Sequence, residues 1–326
     1  MKFLKVIFAC ILLFSLNVYS EENQIHKYLN MSIEELMQVE VTISTGTPVT
    51  LEKVPSVATV ITKEMIENTG AATLDEVLET VPGIHVLPSD LKVLDNIYSI
   101  RGIQTSLNPH VLILINGTPV KAEINSNKPY FLRIPASVIS RVEIVKGPGS
   151  AVHGADSFAG TINVITKTAK DINGTNTGFR GGSFDTYRAW AEHGNKYGDW
   201  DVALGIETLK SEGDDDRIVD RDYMYSIGKQ AYSEAPGPLN SGYETVVSHF
   251  DVQNQNWDIN FYSSYNNDAE FGHSGLQNIT EGSCADGKYF SLNIIKSIQD
   301  IFTDVDAKIK LFGNYLDNDN YFKFFP

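Results

Sequence analysis

The chain has 326 residues, a formal net charge of −15 at pH 7 and 42% hydrophobic residues. This length leaves room for two domains, and the acidic excess argues against nucleic acid as a partner, because phosphate binding needs a basic face. No stretch after residue 20 approaches the ~20 apolar residues of a membrane-spanning helix.

The first twenty residues are typical of a secretory signal peptide. Lys2 and Lys5 give a positive start, an apolar run covers residues 6–16, and the segment ends at the small residue Ser20. We therefore expect an exported protein cut after Ser20. Cys10 is removed with this peptide, which leaves Cys284 without a disulfide partner and without an assigned role.

The part from Ile33 to about Ala169 mixes short helices and strands, which predicts a small α/β domain. Thr62 is the expected N-cap of a first helix, and apolar spacing over residues 74–81 predicts a second helix that ends at Pro82-Gly83. An Asn116-Gly117 turn follows one of the expected strands. The predicted strands cover residues 58–61, 97–101, 111–115, 142–145 and 162–166.

Residues 140–167 read SRVEIVKGPGSAVHGADSFAGTINVITK, two β-branched runs separated by a glycine-rich stretch. A phosphate loop carries Lys-Ser or Lys-Thr after its last glycine and opens a helix, whereas here Lys146 precedes the glycines and a second strand follows. We therefore expect glycines that allow positive φ and close backbone approach between two strands.

After Asn173 the pattern changes to long segments that alternate apolar and polar residues. We predict seven strands, at residues 174–182, 184–194, 200–211, 243–253, 257–268, 288–298 and 304–316. Short connections alternate with longer ones, notably residues 212–242, as in an outer-membrane β-barrel with a polar lumen. The alternative is a secreted soluble sandwich, because each barrel strand gives a weak signal.

Seven strands cannot close a barrel wide enough to enclose a folded domain, which takes about 22. An open edge in lipid leaves backbone groups unsatisfied. The chain is therefore expected to be truncated, either as a fragment of a working protein or as the product of a degenerate gene.

Four runs in the first half resemble the plug domain of TonB-dependent outer-membrane receptors. They are Thr62–Val86, YSIRG at 98–102, VLILINGTPV at 111–120, and the run from Ile134 to Lys167. Asn116 departs from the family's usual Asp, and His153 from its usual Tyr. The resemblance implies an α/β plug domain followed by an all-β antiparallel transmembrane barrel, here incomplete with about seven of ~22 strands.

The resemblance also implies a division of the chain and a function. The expected segments are a signal peptide (1–20), an N-terminal segment with the TonB box (21–49), the plug (50–170) and a partial barrel (171–326). The expected function is uptake of a scarce nutrient, an iron-siderophore complex, driven by the inner-membrane TonB complex. A monomer in the outer membrane of a Gram-negative cell, in contact with its lipid and without a cofactor, is implied.

Site residues follow from the same resemblance. The TonB box, which pairs with TonB as an added strand, matches Val39, Glu40, Val41, Thr42, Ile43, Ser44 and Thr45. Ligand contacts at the two plug apices match Ser89, Asp90, Asn96, Asn125, Asn127 and Tyr130. Arg101, expected in the plug interior, and Arg141 match plug arginines that pair with barrel carboxylates.

Several alternatives stay open or are disfavoured. Haem or cobalamin are alternative ligands, although both plug apices lack the His that haem uptake predicts. A signalling receptor would need an additional N-terminal domain in the short stretch between Ser20 and Val39. The acidic run 212–222 misses the spacing of an EF-hand, His153 has no second ligand nearby, and no catalytic set is present.

Overall fold

The computed structural model describes residues 40–41, 49–50, 57–88, 96–105, 108–121, 128–129, 131–149, 154–270, 282–302 and 305–321. The predicted signal peptide and His153 lie outside these residues.

The N-terminal part folds as an α/β domain around a five-stranded sheet with the order β3-β8-β9-β6-β7. Neighbouring strands in it are antiparallel except β6 and β9, which are parallel. Two shorter pairs, β1-β2 and β4-β5, stand apart from it. The elements are β1 (Glu40–Val41), β2 (Val49–Thr50), β3 (Val57–Thr62), α1 (Lys63–Thr69), α2 (Leu74–Glu79), β4 (Ile84–Pro88), β5 (Asn96–Ile100), β6 (Val111–Ile115), β7 (Thr118–Pro119), β8 (Ile139–Lys146), β9 (Gly160–Thr166) and α3 (Ala169–Ile172).

The two predicted helices begin where the sequence indicated. The Thr62 side chain accepts a hydrogen bond from the Met65 amide at the start of α1, as expected of an N-cap. Helix α2 ends at Glu79, not at the predicted residue 81, because the amides of Thr80 and Val81 bond the carbonyls three residues back. The last turn is thus tightened into 3₁₀ geometry.

The glycine-rich stretch joins β8 to β9, which pair with each other. Gly147 has φ 130°, a conformation open to glycine. A Cβ at Gly160 would lie 2.5 Å from the Val145 carbonyl oxygen and 2.7 Å from Ile100 Cδ1. These short distances confirm the predicted close backbone approach. A strand, β9, follows the described part of this stretch, as predicted.

The C-terminal part forms one seven-stranded antiparallel sheet, which we call the wall. Its strands pair in chain order with no crossover. Three strands have the predicted bounds, and the predicted strand 184–194 begins at Thr186 because Phe184 and Asp185 turn with positive φ. The strands are β10 (Gly174–Gly182), β11 (Thr186–Tyr197), β12 (Trp200–Ser211), β15 (Tyr243–Gln253), β16 (Trp257–Glu270), β17 (Cys284–Phe302) and β18 (Val305–Tyr321).

The two faces of the wall differ in polarity. On β12 the inner face, towards the α/β domain, carries Ala203, Glu207 and Ser211, all buried, whereas Leu204 and Ile206 on the outer face are 46% and 49% exposed. The apolar face therefore points away from the protein, which is the polarity of a membrane barrel and the reverse of a soluble sandwich. None of the helices in the described part of the chain is long and apolar enough to cross a membrane.

The long connection between β12 and β15, residues 212–242, contains short helices and strands of its own. Its elements are β13 (Ile218–Val219), α4 (Tyr223–Ser226) and β14 (Gly237–Pro238), with a 3₁₀ turn at Gln230–Tyr232. Asp222 is 2% exposed, accepts from the Tyr225 amide at 2.8 Å and accepts from Ser233 Oγ at 2.6 Å. This acidic side chain serves the loop's own fold.

Candidate functional site

The predicted TonB box is described at two residues only. Glu40–Val41 forms β1, which pairs antiparallel with Val49–Thr50. Val39, Thr42, Ile43, Ser44 and Thr45 lie outside the described residues. The box remains a prediction, with the added observation that its described backbone adopts an extended conformation.

At the first apex, Asn96 is engaged within the α/β domain. Its Nδ2 donates to Asp75 Oδ2 at 2.7 Å, and the Tyr98 hydroxyl donates to Asp75 Oδ1 at 2.5 Å. Asp75 belongs to the first turn of α2. The predicted partners Ser89 and Asp90 lie outside the described residues. Asn96 thus joins β5 to α2, and its ligand contact remains a prediction.

At the second apex, Asn125, Asn127 and Tyr130 lie outside the described residues. Lys121 and Phe131, at the two ends of this segment, are described. At the first residue of the apex, Lys121 forms an ion pair with Asp156. After it, Phe131 is 1% exposed. The chain therefore enters this predicted ligand loop at a surface ion pair and leaves it at a buried aromatic ring.

The two predicted pairing arginines do not meet a wall carboxylate among the described residues. Arg101 is exposed, with φ 54°, so its expected place in the domain interior is wrong. Arg141 NH2 lies 2.9 Å from Oε1 of Glu143, a fully buried carboxylate two residues along its own strand. Because side chains two apart in a strand share a face, that carboxylate satisfies the arginine locally.

A different ion pair, formed within the wall, makes hydrogen bonds to the α/β domain. Arg188 Nε on β11 lies 3.2 Å from Glu207 Oε1 on β12, and the two side chains are 9% and 2% exposed. Arg188 NH1 also donates to the Ala72 carbonyl at 2.7 Å, and Ser137 Oγ donates to Glu207 Oε2. We call these four groups the ionic contact. Burial makes it sensitive to the loss of either partner.

A second buried pair lies where β9 ends and α3 begins. Lys167 Nζ is 3.0 Å from both carboxylate oxygens of Glu192 on β11, and both side chains are under a tenth exposed. Asn176 of β10 donates to the same carboxylate at 2.9 Å. This carboxylate therefore ties the end of the α/β domain to two wall strands.

Wall side chains also donate to backbone carbonyls of the hairpin formed by β6 and β7. Lys310 Nζ donates to the Gly117 carbonyl at 2.8 Å, and Asn314 Nδ2 donates to the Pro119 carbonyl at 2.7 Å. Contacts of this kind hold the α/β domain by polar groups that water can replace. These two hydrogen bonds join the hairpin of β6 and β7 to β18 of the wall.

A cavity of about 210 Å³ lies between α1 and the wall. Its lining includes Lys63, Glu67, Arg180, Trp190 and Glu207, and the charged members of this set already form ion pairs or bond a backbone carbonyl. Among the described residues no group of three or more His, Cys, Asp or Glu side chains is placed to hold a metal ion.

Sequence reasoning missed Arg188, Glu192 and Glu207. The sequence did contain a clue, because these charged residues fall on the polar face of the predicted strands. In a barrel that encloses a folded domain, this face is buried, and buried charges need partners. Their partners Ala72, Ser137 and Lys167 are distant in sequence, and nothing local marks them.

The comparisons with known proteins identify the family. Residues 50–161 match the model of the TonB-dependent Receptor Plug Domain. The chain carries the plug domain and part of the barrel of a TonB-dependent receptor. The α/β domain is thus the plug, as the sequence resemblance implied, and the wall is part of the barrel.

Relatives agree with this over most of the chain. The vitamin B12 transporter BtuB of Vibrio vulnificus is 31% identical over 242 residues, which cover 69% of this chain and 38% of that protein. The siderophore receptor PiuA of Acinetobacter baumannii superposes with a TM-score of 0.61 at 18% identity, covering 89% of this chain and 40% of that one. The pyoverdine outer membrane receptor FpvA of Pseudomonas aeruginosa gives 0.60 at 15%, covering 87% and 40%.

The chain therefore spans about two fifths of the length of these proteins. At such identities the two solved structures establish the fold alone. The family consists of outer-membrane receptors and transporters, not enzymes, and this confirms the predicted location and the predicted class.

Proposed function

We propose that this chain is part of a receptor that imports a scarce metal chelate across the outer membrane, with energy supplied through TonB. The observation that supports it is the plug seated against the inner face of the wall by polar contacts, such as the buried ion pair of Lys167 with Glu192 and the hydrogen bond from Arg188 to the Ala72 carbonyl. A plug held in this way blocks the lumen at rest and can be moved by a pull from the periplasm.

TonB is the proposed partner, and residues 39–45 are its proposed binding segment. An extended segment binds by adding a strand to a sheet edge, so its backbone amides carry the affinity. Proline in this segment removes one amide and restricts the chain. Val41→Pro is therefore expected to lower uptake at least about tenfold and to leave ligand affinity unchanged.

The matched control is Val41→Thr, which keeps the amide and the β-branched side chain. Uptake of labelled ligand by whole cells, beside equilibrium binding to their outer-membrane fractions, separates the two effects. Equal uptake by the Val41→Pro and wild-type receptors contradicts the assignment of the TonB box.

The proposed ligand is an iron-siderophore complex. The support is indirect: neither plug apex, residues 87–96 and 121–130, contains the histidine that haem coordination favours. Polar groups proposed for ligand contact are Ser89, Asp90, Asn96, Asn125, Asn127 and Tyr130.

Cobalamin is the second candidate, because the relative at 31% identity is a vitamin B12 transporter. The matched region consists of plug and early wall, whereas ligand selectivity depends on loops across the whole barrel. Titration of the purified native receptor with ferric siderophores, cyanocobalamin and haem decides between them. Binding of cyanocobalamin alone replaces the first proposal by the second, and binding of haem alone contradicts both.

A degenerate receptor without transport activity is the remaining alternative. An antibody against the plug, applied to outer-membrane fractions from cells grown with and without iron, tests it. We expect a band of about twice 36.1 kDa that rises under iron starvation. A product confined to 36.1 kDa, without ligand binding, contradicts the transport proposal.

A further inference from the structure

The segment from Phe131 to Ser137, which we call the strap, crosses the inner face of the wall directly after the second apex. Its contacts fall on three different strands. Phe131 packs on β17, the Arg133 guanidinium lies 4.8 Å from the centre of the Tyr243 ring on β15, and Ser137 donates to Glu207 on β12. One short piece of plug backbone therefore spans most of the described wall.

The contact of Phe131 is built from one cross-strand pair of the wall. Gly287 and Asn266 are register partners. A Cβ at Gly287 would lie 2.5 Å from both Cδ atoms of the Phe131 ring, so the ring lies on bare backbone. Asn266 Nδ2 donates to the Phe131 carbonyl at 3.4 Å. The pair thus receives both the ring and the backbone of the same plug residue.

This contact is apolar, in contrast with the ion pairs of the interface. Phe131 belongs to the hydrophobic core of the plug, and that core continues into the wall through Val247, Tyr262 and Tyr289. The Tyr262 and Tyr289 rings lie 6.4 Å apart at 56°. Non-directional apolar packing adapts poorly to an added atom, because a filled core has no free volume.

Backbone hydrogen bonds also join the strap to the start of helix α2, which contacts the first apex through Asp75. The Leu74 amide donates to the Ile134 carbonyl at 2.8 Å, and the Ala136 amide donates to the Ala72 carbonyl at 3.0 Å. Helix α2 begins here, and its Asp75 holds Asn96. A shift of the strap is therefore transmitted to the segments that carry both apices.

We propose that Phe131 and Gly287 form a seat that positions the strap, and that ligand binding by the receptor depends on this seat. Glycine is required at 287 because any side chain there displaces the Phe131 ring and with it the strap. This inference rests on the proposed ligand-binding function, and it assigns positioning to two residues that do not themselves contact the ligand.

The test compares two glycines of neighbouring wall strands in the full-length receptor. Gly287→Ala adds a methyl group under the Phe131 ring, whereas Gly313→Ala on β18 adds one to open space, with nothing within 4 Å. Two readouts are used: hydrogen exchange of the strap amides at residues 132–134, 136 and 137, and affinity for a panel of ferric catecholates, ferric hydroxamates and cyanocobalamin.

We expect Gly287→Ala to raise exchange of the strap amides and to weaken binding of the probe, each by at least about tenfold. Gly313→Ala is expected to change neither. In the double variant Gly287→Ala with Phe131→Leu, the shorter side chain leaves room for the methyl group. Exchange and affinity should then return to within about threefold of Phe131→Leu alone, a non-additive result.

Three results overturn the proposal: equal behaviour of Gly287→Ala and Gly313→Ala, a loss that Phe131→Leu does not rescue, or faster strap exchange without loss of affinity. If no probe binds the unsubstituted receptor, the ligand proposal fails. The exchange measurement then decides by itself whether the ring and the glycine hold the strap.

Discussion

The plug and the wall are both β-sheet structures, but they arrange polarity in opposite ways. All five residues of β6 in the plug are buried, because both faces of that sheet are covered by protein. Along β12 of the wall, burial alternates, and the large apolar residues Leu204 and Ile206 are exposed while the charged Glu207 is buried. The same residue types thus fill a core in one sheet and face outward in the other.

The difference shows what each region uses for stability. The plug holds its strands together by packing around residues such as Ile144 and Ile162, which are register partners and fully buried. The wall meets the plug through buried charges and amides as well as through the side chains of Val247, Tyr262 and Tyr289. The largest losses of stability are therefore expected from substitutions that leave a buried charge unpaired on the inner face of the wall or place a charge on its outer face.

The largest effect is expected from Glu207→Ala, which leaves the Arg188 guanidinium buried without its carboxylate. Removing one partner of a buried pair costs about 3–5 kcal/mol. The loss is measured as the change in the free energy of unfolding of the receptor in lipid vesicles, by denaturant titration. The matched control replaces both residues, Arg188→Met with Glu207→Leu, and should recover most of the loss because no lone charge remains. A cost below ~1 kcal/mol for Glu207→Ala would mean that the contact is hydrated like a surface pair.

The next effect tests the outer face. Ile206→Arg places a charge near the middle of β12, where lipid contact is expected, and should destabilise the receptor by about 2–4 kcal/mol. Tyr187→Arg adds the same charge at the end of β11, beside Lys210 in the register, and should cost about 0–1 kcal/mol. Heat-modifiable mobility and unfolding in vesicles report both variants. Equal costs at the two positions contradict the placement of this face in lipid.

Much of the fold was predictable because local pattern and tertiary environment agree. The predicted bounds of β10, β12 and β15 are those of the structure, and burial alternates along most of β12 and β15. The strand β17 was predicted too short, at 288–298 and not Cys284–Phe302. Its ends carry mixed residues that do not alternate clearly, and register with β18 extends it.

The site was predictable only where a motif is local. The glycine run and the Asn116-Gly117 turn are local, and both behave as expected. By contrast, the buried pairing of Arg188 and Glu207 requires knowing the register of β11 with β12 and the position of Ser137, 70 residues away. The family resemblance predicted that Arg101 and Arg141 pair with barrel carboxylates. In the described residues, the wall carboxylates Glu192 and Glu207 pair with Lys167 and Arg188 instead.

The smallest expected effect concerns the plug turn at Asn116, whose φ is 49°. Asn116 Nδ2 donates to Thr166 Oγ1 at 2.9 Å, and the Thr166 amide donates to Asn116 Oδ1 at 3.0 Å. Asn116→Asp keeps the acceptor and tolerates this conformation, so it should cost less than about 1 kcal/mol. Asn116→Val loses both bonds and places a β-branched side chain at positive φ, so it should cost about 2 kcal/mol or more. Hydrogen exchange of β7 and β9 amides measures both, and equal losses would show that the turn depends on Gly117 alone.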